Sequence, residues 1–540
     1  MLILEAQYLL LGAFNQTLIA SDKINVSKTS NILKLAVFAT GLSGIVAEYV
    51  LSTLATYFLG DSVFQWTIIV SIMLFSMGVG SRLSKLFNKN LLRTFIILEL
   101  VLSILVSFSA LITYISSAYT IYIGAIIYIM SIAIGLLIGM EIPLVIRLNN
   151  KYDSLKVNIS SILEKDYYGS LIGGMFFAFI GLPFIGLTYT PFILGGINLS
   201  VAILLLLILQ SSFKTPSKTL IYSLTILTIC TISIGCFKAE PIILFGEQKK
   251  YQDKVVFEKQ TPYQKIVLTK WNDHHWLYIN GNQQLCTLDE VMYHEPIVHP
   301  IMQLHPKASS ILVLGGGDGC TVRELLKYPW VKSIDLVDID PEMTQIGQEH
   351  PVFTKMNDQA LNDEKVNIYN KDAYYFLEHS DQFYDAVIID LPDPRTIELN
   401  RLYSLEFYKL CHRKLRANGM IITQGGSPYF ATKAFLCIDK TLQQAGFQTL
   451  KLHNQIVTMG QWGWVLGSKD KTCDTNCLKK HLISKKIDSI PTKWLNQEAL
   501  KHMTNFGKPF FINLKDSIEI NQINHPVLYQ YYLKGSWDLY

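Results

Sequence analysis

Between residues 35 and 237 the chain carries seven long apolar runs, at about 35–58, 63–81, 94–115, 119–146, 169–187, 190–210 and 219–237. Most reach the ~18–25 residues needed to cross the hydrocarbon core of a bilayer. One such run is explained by a buried core helix, but seven in succession are not. Residues 35–237 are therefore expected to form a multi-pass, α-helical membrane region surrounded by lipid. Half of the 540 residues are hydrophobic and only 17% are charged. The apolar excess sits in this stretch, and the rest has the make-up of a soluble protein. The first residues, MLILEAQYLLLGAF, lack a basic leader and carry Glu5, which argues against a signal peptide. Residues 1–34 are read as a separate N-terminal segment, amphipathic or partly inserted.

The loops near 82–93, 147–165 and 214–218 hold Arg82, Lys85, Lys89, Arg93, Arg147, Lys151, Lys156, Lys165, Lys214 and Lys218, whereas those near 60, 117 and 188 hold no Lys or Arg. The positive-inside rule places the basic loops in the cytoplasm. Glu48, Glu99 and Glu141 fall within or at the ends of the spans, where acids are costly and often functional. Two readings stand: each acid is paired with a neighbouring helix or lies near the interface, or the acids handle a polycation. Net charge is +4, and no basic run with interleaved aromatics points to nucleic acid.

Residues 311–340, ILVLGGGDGCTVRELLKYPWVKSIDLVDID, hold the densest chemical signal. ILVL reads as a buried parallel strand, GGGDG as a tight turn and TVRELLKY as a helix. A second strand, SIDLV, ends on Asp338. This is the layout of a nucleotide-binding unit, in which Gly315 and Gly317 let the ligand approach the backbone and the acid takes the ribose hydroxyls. Asp318 stands inside the turn. It would repel the carboxylate of S-adenosylmethionine and hold the amine of the decarboxylated form. The alternative is that Asp318 caps the following helix.

The segment resembles the core of the spermidine synthase (polyamine aminopropyltransferase) family, and further stretches match in order over roughly 252–470. TPYQKIVL resembles the segment that binds the nucleoside through a Gln, here Gln264. LYINGNQQLCTLDEVMYHEPIVHP places Tyr293 and His294 in polyamine-binding positions. NKDAYYFL resembles the pair that reads the adenine, here Asp372 and Ala373. YDAVIIDLPDP resembles the catalytic strand end, and QGGSPYF and MGQWGWVLGSK resemble later family segments. GLSGIVAEYVLSTLATYFLGDS and EKDYYGSLIGGMFFAFIGLPFIGL resemble the membrane half of the long bacterial form. The resemblance implies decarboxylated S-adenosylmethionine as co-substrate, no prosthetic group, a diamine as acceptor and a homo-oligomer.

The expected fold is thus a helical membrane region followed by α/β. A small β-hairpin domain (252–300) should precede a doubly wound, Rossmann-like, methyltransferase-type sheet (301–470), with a C-terminal extension (471–540). ILVL, SIDLV, VNIY, DAVII and MIIT should be its central strands. An aliphatic amine is protonated at pH 7, so a carboxylate must take its proton before attack. Asp390, at the end of DAVII, suits that role, and Asp393 suits an anchor for a diamine. The loop LPDPRTIELNRLY departs from the family's Ser/Gly/Pro-rich pattern, Asp338 replaces the commoner Glu and Ala373 replaces Gly. These departures bear on the acceptor: putrescine is the default, with cadaverine, agmatine and spermidine open. Two other readings compete, a methyltransferase using intact S-adenosylmethionine and a membrane polyamine transporter or sensor whose soluble domain only binds. The eight cysteines show no metal-type spacing, so they are expected to be free, mostly buried thiols, and no metal is expected. Seven full crossings would put the catalytic domain outside, yet its nucleoside is made in the cytoplasm. The last apolar stretch is therefore expected not to cross cleanly, which would leave the domain facing the cytoplasm.

Overall fold

The computed structural model describes residues 2–60, 62–120, 122–150, 154–209, 213, 215–487, 489–507 and 517–537, with the backbone alone for 2–28 and 215–217. Lys151, Lys214 and the side chains of the MLILEAQYLLLGAF segment lie outside the described residues. The chain divides into two compact units, Met1–Gln252 and Asp253–Tyr540.

The first unit is helical throughout: α1 (Leu2–Leu59), α2 (Ser62–Leu83), α3 (Leu91–Ser117), α4 (Ile123–Asn149), α5 (Leu155–Phe176), α6 (Gly186–Ile208) and α7 (Thr215–Lys250). Six helical stretches among the described residues are long and apolar enough to cross a membrane. The runs expected at 169–187 and 190–210 fall within one of them, Leu155–Ile208. That stretch is a hairpin. Thr190 Oγ1 donates to the Gly181 carbonyl at 3.0 Å, although nine residues of straight helix would separate them by about 13.5 Å. Pro183 brings no amide hydrogen and Gly186 takes φ 75°, so the helical ladder fails there. Both limbs then meet α1, through Ser170 Oγ to Gly41 O at 3.2 Å and Ser43 Oγ to Asn198 Oδ1 at 2.6 Å. Gly169 and Gly173 make the first contact possible. A Cβ there would stand 2.0 Å from Phe38 O and 2.5 Å from Leu42 O, the close backbone approach of small-residue helix packing. The last apolar run is an unbroken helix with Pro241 inside it. Its 33 residues from Lys218 to Lys250 have the length and hydropathy of a full span, so helix length gives it no reason to stop short.

The second unit opens with a four-stranded antiparallel sheet in the order β1 (Lys254–Gln260), β2 (Lys265–Trp271), β3 (His274–Ile279), β4 (Asn282–Cys286). The β2–β3 hairpin turns through Asn272, at φ 52°. The stretch 252–300 is not all β, because α8 (Val291–Leu304) begins inside it. The helix contains Pro296 and Pro300, and it begins where the resemblance puts a helix start, at Tyr293 and His294.

A seven-stranded sheet follows, built from β5 (Ser310–Gly315), β6 (Ser333–Asp338), β7 (Val366–Asn370), β8 (Tyr384–Asp390), β9 (Leu415–Gly426), β10 (Gln448–Ile456) and β11 (Gly460–Ser468). Its order is β10-β11-β9-β8-β5-β6-β7. β5 to β9 run parallel, and the last two strands close it antiparallel. The crossovers are α9 (Cys320–Leu326), α10 (Pro341–Glu349), α11 (Pro351–Met356), α12 (Ala373–His379), α13 (Ile397–Asn400), α14 (Leu405–Lys414) and α15 (Thr432–Gln444). ILVL, SIDLV, VNIY, DAVII and MIIT all lie in this sheet. ILVL and DAVII are neighbours, with Val313 opposite Ile388. Alternation divides them between two cores. Leu312, Leu314, Val387 and Ile389 face one layer of helices, and Ile311, Val313, Ala386 and Ile388 face the other. Both faces being covered is why these strands read as unbroken apolar runs.

Three helices follow the sheet: α16 (Thr475–Ser484), α17 (Gln497–Met503) and α18 (Leu528–Leu533). Asp474 caps α16 by accepting from Cys477 N at 2.8 Å. The first turn returns Cys477 over Cys473, and the two sulfurs are bonded. This corrects the expectation of free thiols throughout; a helix start between two cysteines brings side chains four apart together. Cys286, Cys320, Cys411 and Cys437 are free and buried, whereas Cys236 is half-buried and Cys230 exposed.

Candidate active site

The parallel strands β5, β6 and β8 end at one edge, where the order reverses between β5 and β8. That switch point is where open α/β sheets leave a crevice. Gly315, Asp338 and Asp390 are the last residues of the three strands. Gly315 has φ 82°, and a Cβ on it would stand 2.1 Å from Asp390 O. Only glycine lets the turn pass this close. The Gly316 amide then donates to the same carbonyl at 3.0 Å.

The Asp390 carboxylate is fixed from two sides. Tyr293, from α8, donates its hydroxyl to Oδ1 at 2.8 Å, and Thr321, from α9, donates to Oδ2 at 2.6 Å. Burial and the charge of Asp318 push its carboxyl above the ordinary range, against the pull of His294 and the two hydroxyls. Thr321 was missed by sequence reasoning. Its position one residue into the helix after the glycine turn was the available signal.

Asp318 meets the capping reading by a hydrogen bond and stands beside a buried histidine. Its Oδ1 accepts from Cys320 N at 2.8 Å, capping the start of α9, and lies 3.7 Å from His294 Nε2. Behind it stands a buried charge chain. His294 Nδ1 meets Glu290 Oε2 at 2.8 Å, Glu290 takes Arg323 through two bonds of 2.8 and 2.9 Å, and Arg323 reaches Glu324 at 2.8 Å. Glu324 continues to His299 at 2.9 Å. Burial alone would lower the His294 imidazole, but the Glu290 hydrogen bond and the charges of Asp318, Glu290 and Asp390 push it up to about 9. Burial would raise Glu290, yet His294 and Arg323 hold it at about 2. Paired in this way the buried charges are tolerable; removal of one partner would strand the other.

On the β6 side, burial lifts the Asp338 carboxyl to about 6, although the Asp340 amide donates to its Oδ1 at 2.9 Å. Gly317 leaves room for it, since a Cβ there would stand 2.8 Å from Asp338 Oδ2. Gln264 lies beside this acid, not on it: its Nε2 donates to Asp340 Oδ2 at 2.8 Å, joined by Thr261 Oγ1 at 2.9 Å. Further along the edge, Asp372 caps α12 by accepting from Tyr375 N at 2.9 Å and pairs with Arg401. Ala373 beside it is buried.

Asp393 opens a second acidic position. Burial raises its carboxyl. It accepts from Gln424 Nε2 at 3.3 Å and from Tyr532 Oη at 2.5 Å, with Arg395 Nη2 at 3.6 Å. Tyr532 comes from α18, in the C-terminal extension, and its ring also lies under the Arg395 guanidinium, 5.3 Å from its centroid. A side chain arriving from 139 residues away leaves no local trace in the sequence. Arg395 was visible, in the loop that departs from the family pattern.

A family model described as the spermine/spermidine synthase domain matches residues 290–480. The chain is 41% identical to "Polyamine aminopropyltransferase 2" of Aquifex aeolicus, over 94% of this chain and 99% of that protein. It is 35% identical to "Polyamine aminopropyltransferase" of Leptospira interrogans, over 93% of this chain and 97% of that protein. A crystal structure of spermidine synthase from Thermotoga maritima shares 23% identity at a TM-score of 0.44, covering 48% of this chain and 87% of the other.

Tyr532 gives Asp393 a direct donor, so Tyr532→Phe should raise the KM for the amine ~10-fold, as for loss of a hydrogen bond to a charged group. The KM for the nucleoside should stay unchanged. Steady-state kinetics on both substrates checks this.

Proposed function

We propose that this chain, which belongs to the polyamine aminopropyltransferase family, transfers the aminopropyl group of decarboxylated S-adenosylmethionine to putrescine, giving spermidine and methylthioadenosine. The observation that carries the reading is the pair Asp390 and Asp393 at the switch point, with Asp318 across from them. The nucleoside occupies the glycine turn, with its ribose on Asp338, its adenine near Asp372 and Ala373, and Gln264 at its rim. Asp318, oriented by His294 behind it, holds the aminopropyl amine and would repel the carboxylate of intact S-adenosylmethionine. That argues against a methyltransferase. A complete set of acids for turnover argues against a binding-only domain.

The reaction needs a neutral amine aligned with the carbon beside the sulfonium. The attacking nitrogen gives its proton to Asp390, whose raised carboxyl sits closer to working pH than an ordinary Asp and so makes a better-matched base. The N–C bond forms as the C–S bond breaks, and its electron pair neutralises the sulfonium as methylthioadenosine leaves. Tyr293 and Thr321 keep the base oriented. Asp393 anchors the diamine, sharing its oxygens with Tyr532 and Gln424. Arg395 competes there for the same charge, which tunes the pocket for particular acceptors.

The apolar helices support a multi-pass place in the cell membrane, with lipid around residues 35–237. The nucleoside, made in the cytoplasm, and not the number of limbs, is what supports placing the β domain (252–300), sheet (301–470) and extension (471–540) on that side. A homo-oligomer completes the reading. The purified full chain, given decarboxylated S-adenosylmethionine and a panel of diamines and polyamines, should yield spermidine from putrescine by mass. No aminopropylated product from any amine would refute the proposal.

Asp390→Asn keeps the side-chain shape but cannot accept the proton, so turnover should fall ~10²–10⁴-fold. Asp393→Asn should raise the amine KM more than it lowers kcat. In the unaltered enzyme the base is active when deprotonated, so kcat/KM should rise with pH through an acid limb above the ordinary Asp value of about 4. A pH–rate profile would show that limb and its loss in Asp390→Asn.

Ribose hydroxyls donating to Asp338 favour its ionised form and draw its carboxyl down from about 6. Methylthioadenosine binding near pH 5.5 should therefore release a proton, read by calorimetry in buffers of different ionisation enthalpy. Asp338→Ala should abolish the release and weaken the nucleoside ~10-fold.

A further inference from the structure

We propose that the helical unit holds an internal site for one ammonium end of a polyamine, built by Glu99, Glu141 and Asp166 around Thr40. These residues come from four helices: Thr40 from α1, Glu99 from α3, Glu141 from α4 and Asp166 from α5. Glu99 and Glu141 are 0% and 1% exposed. Thr40 Oγ1 donates to Glu99 Oε1 at 3.3 Å. The Asp166 carboxylate lies against the next residue of α1, with Oδ1 2.9 Å from where a Cβ on Gly41 would stand. Ile138, one turn from Glu141 on α4, packs against Gly44, one turn from Thr40 on α1, with its Cδ1 3.2 Å from where a Cβ on Gly44 would stand.

Of the two readings of the span acids, pairing with a neighbouring helix or an interface position against handling a polycation, the pairing is incomplete at Glu99 and Glu141. Glu99 Oε2 and both carboxylate oxygens of Glu141 have no hydrogen-bond partner among the described residues. No Lys or Arg forms a salt bridge with any of the three acids among those residues either. Buried carboxylates without partners are costly anywhere and more so in hydrocarbon. Three open acceptor oxygens match a primary ammonium, which has three N–H donors and no acceptor. A hard divalent cation, wanting six or more oxygens, is a poorer match.

Placement agrees. Glu99 and Glu141 each lie eight residues, or about 12 Å of helix, from the ends that carry Arg82, Lys85, Lys89 and Arg147. Each helix has 27 residues, so both acids sit five residues, or about 7 Å, to the basic side of mid-helix, well inside a ~30 Å hydrocarbon core. Asp166 is half-buried, so the cluster reaches the surface of the bundle on one side. Polyamine as the ligand rests on the function proposed above; the cation site rests on the open carboxylates.

The test uses the full chain in lipid nanodiscs with saturating methylthioadenosine and labelled spermidine, read by equilibrium dialysis. The wild type should bind two spermidines per chain. Glu141→Gln and Glu99→Gln should each bind one, with kcat and KM for transfer unchanged. Asp393→Asn should also bind one, having lost the catalytic site. One spermidine per wild-type chain that Asp393→Asn loses overturns the inference even if the Gln variants fail to fold, and so do two per chain in both Gln variants. If the proposed function is the part in error, Asp393→Asn binds like the wild type while the Gln variants still lose one.

Discussion

Burial of carboxylates governs the catalytic edge of this molecule. Asp338, Asp390 and Asp393 are held in a low-dielectric crevice that disfavours their ionised forms, and repulsion by Asp318 adds to this at the first two. Burial and the neighbouring charge raise Asp338 and Asp390. The fold opposes that repulsion at chosen points only. His294 stands behind Asp318, two hydroxyls hold Asp390, and Arg395 leans on Asp393. On the proposed function a sulfonium nucleoside with an amine tail and a diamine would bring the missing cations, completing an electrostatic arrangement that the protein leaves unfinished.

That incompleteness depends on a complete one beneath it. The Glu290–Arg323–Glu324–His299 chain is closed by hydrogen bonds at every step and holds α8 against α9. Tyr293 and Thr321 ride on those two helices, so the geometry of the base follows from a charge network that touches no substrate. An error in that network would appear as a misplaced hydroxyl at Asp390.

Legibility in the sequence followed the range of the interaction. ILVL, the glycine turn, Asp338 and DAVII were readable because strand pattern, turn chemistry and strand-end acids are local signals. The adjacency of β5 and β8 follows from doubly wound topology. Tyr532 was not readable, because its contact with Asp393 spans most of the domain. Thr321 and Glu290 looked like ordinary helix residues until the packing of α8 on α9 gave them partners. The Cys473–Cys477 bond was passed over because spacing rules for metals and redox motifs ignore where a helix begins. In the helical unit, apolar length marked the runs, and the break read near 188 between 169–187 and 190–210 lies next to Pro183 and Gly186, where 155–208 doubles back.

The Thr261–Gln264 turn has a consequence of its own. It joins β1 to β2, and both of its side chains donate to Asp340, whose amide in turn donates to Asp338. The hairpin sheet is thereby latched to the loop to which the proposed function assigns the ribose. On that reading a ligand at Asp338 would stiffen Asp340, and through it the turn. Slowed amide exchange at Tyr263 and Gln264, both donating to Thr261 Oγ1, becomes a gauge of the filled nucleoside pocket that can be read from another sheet.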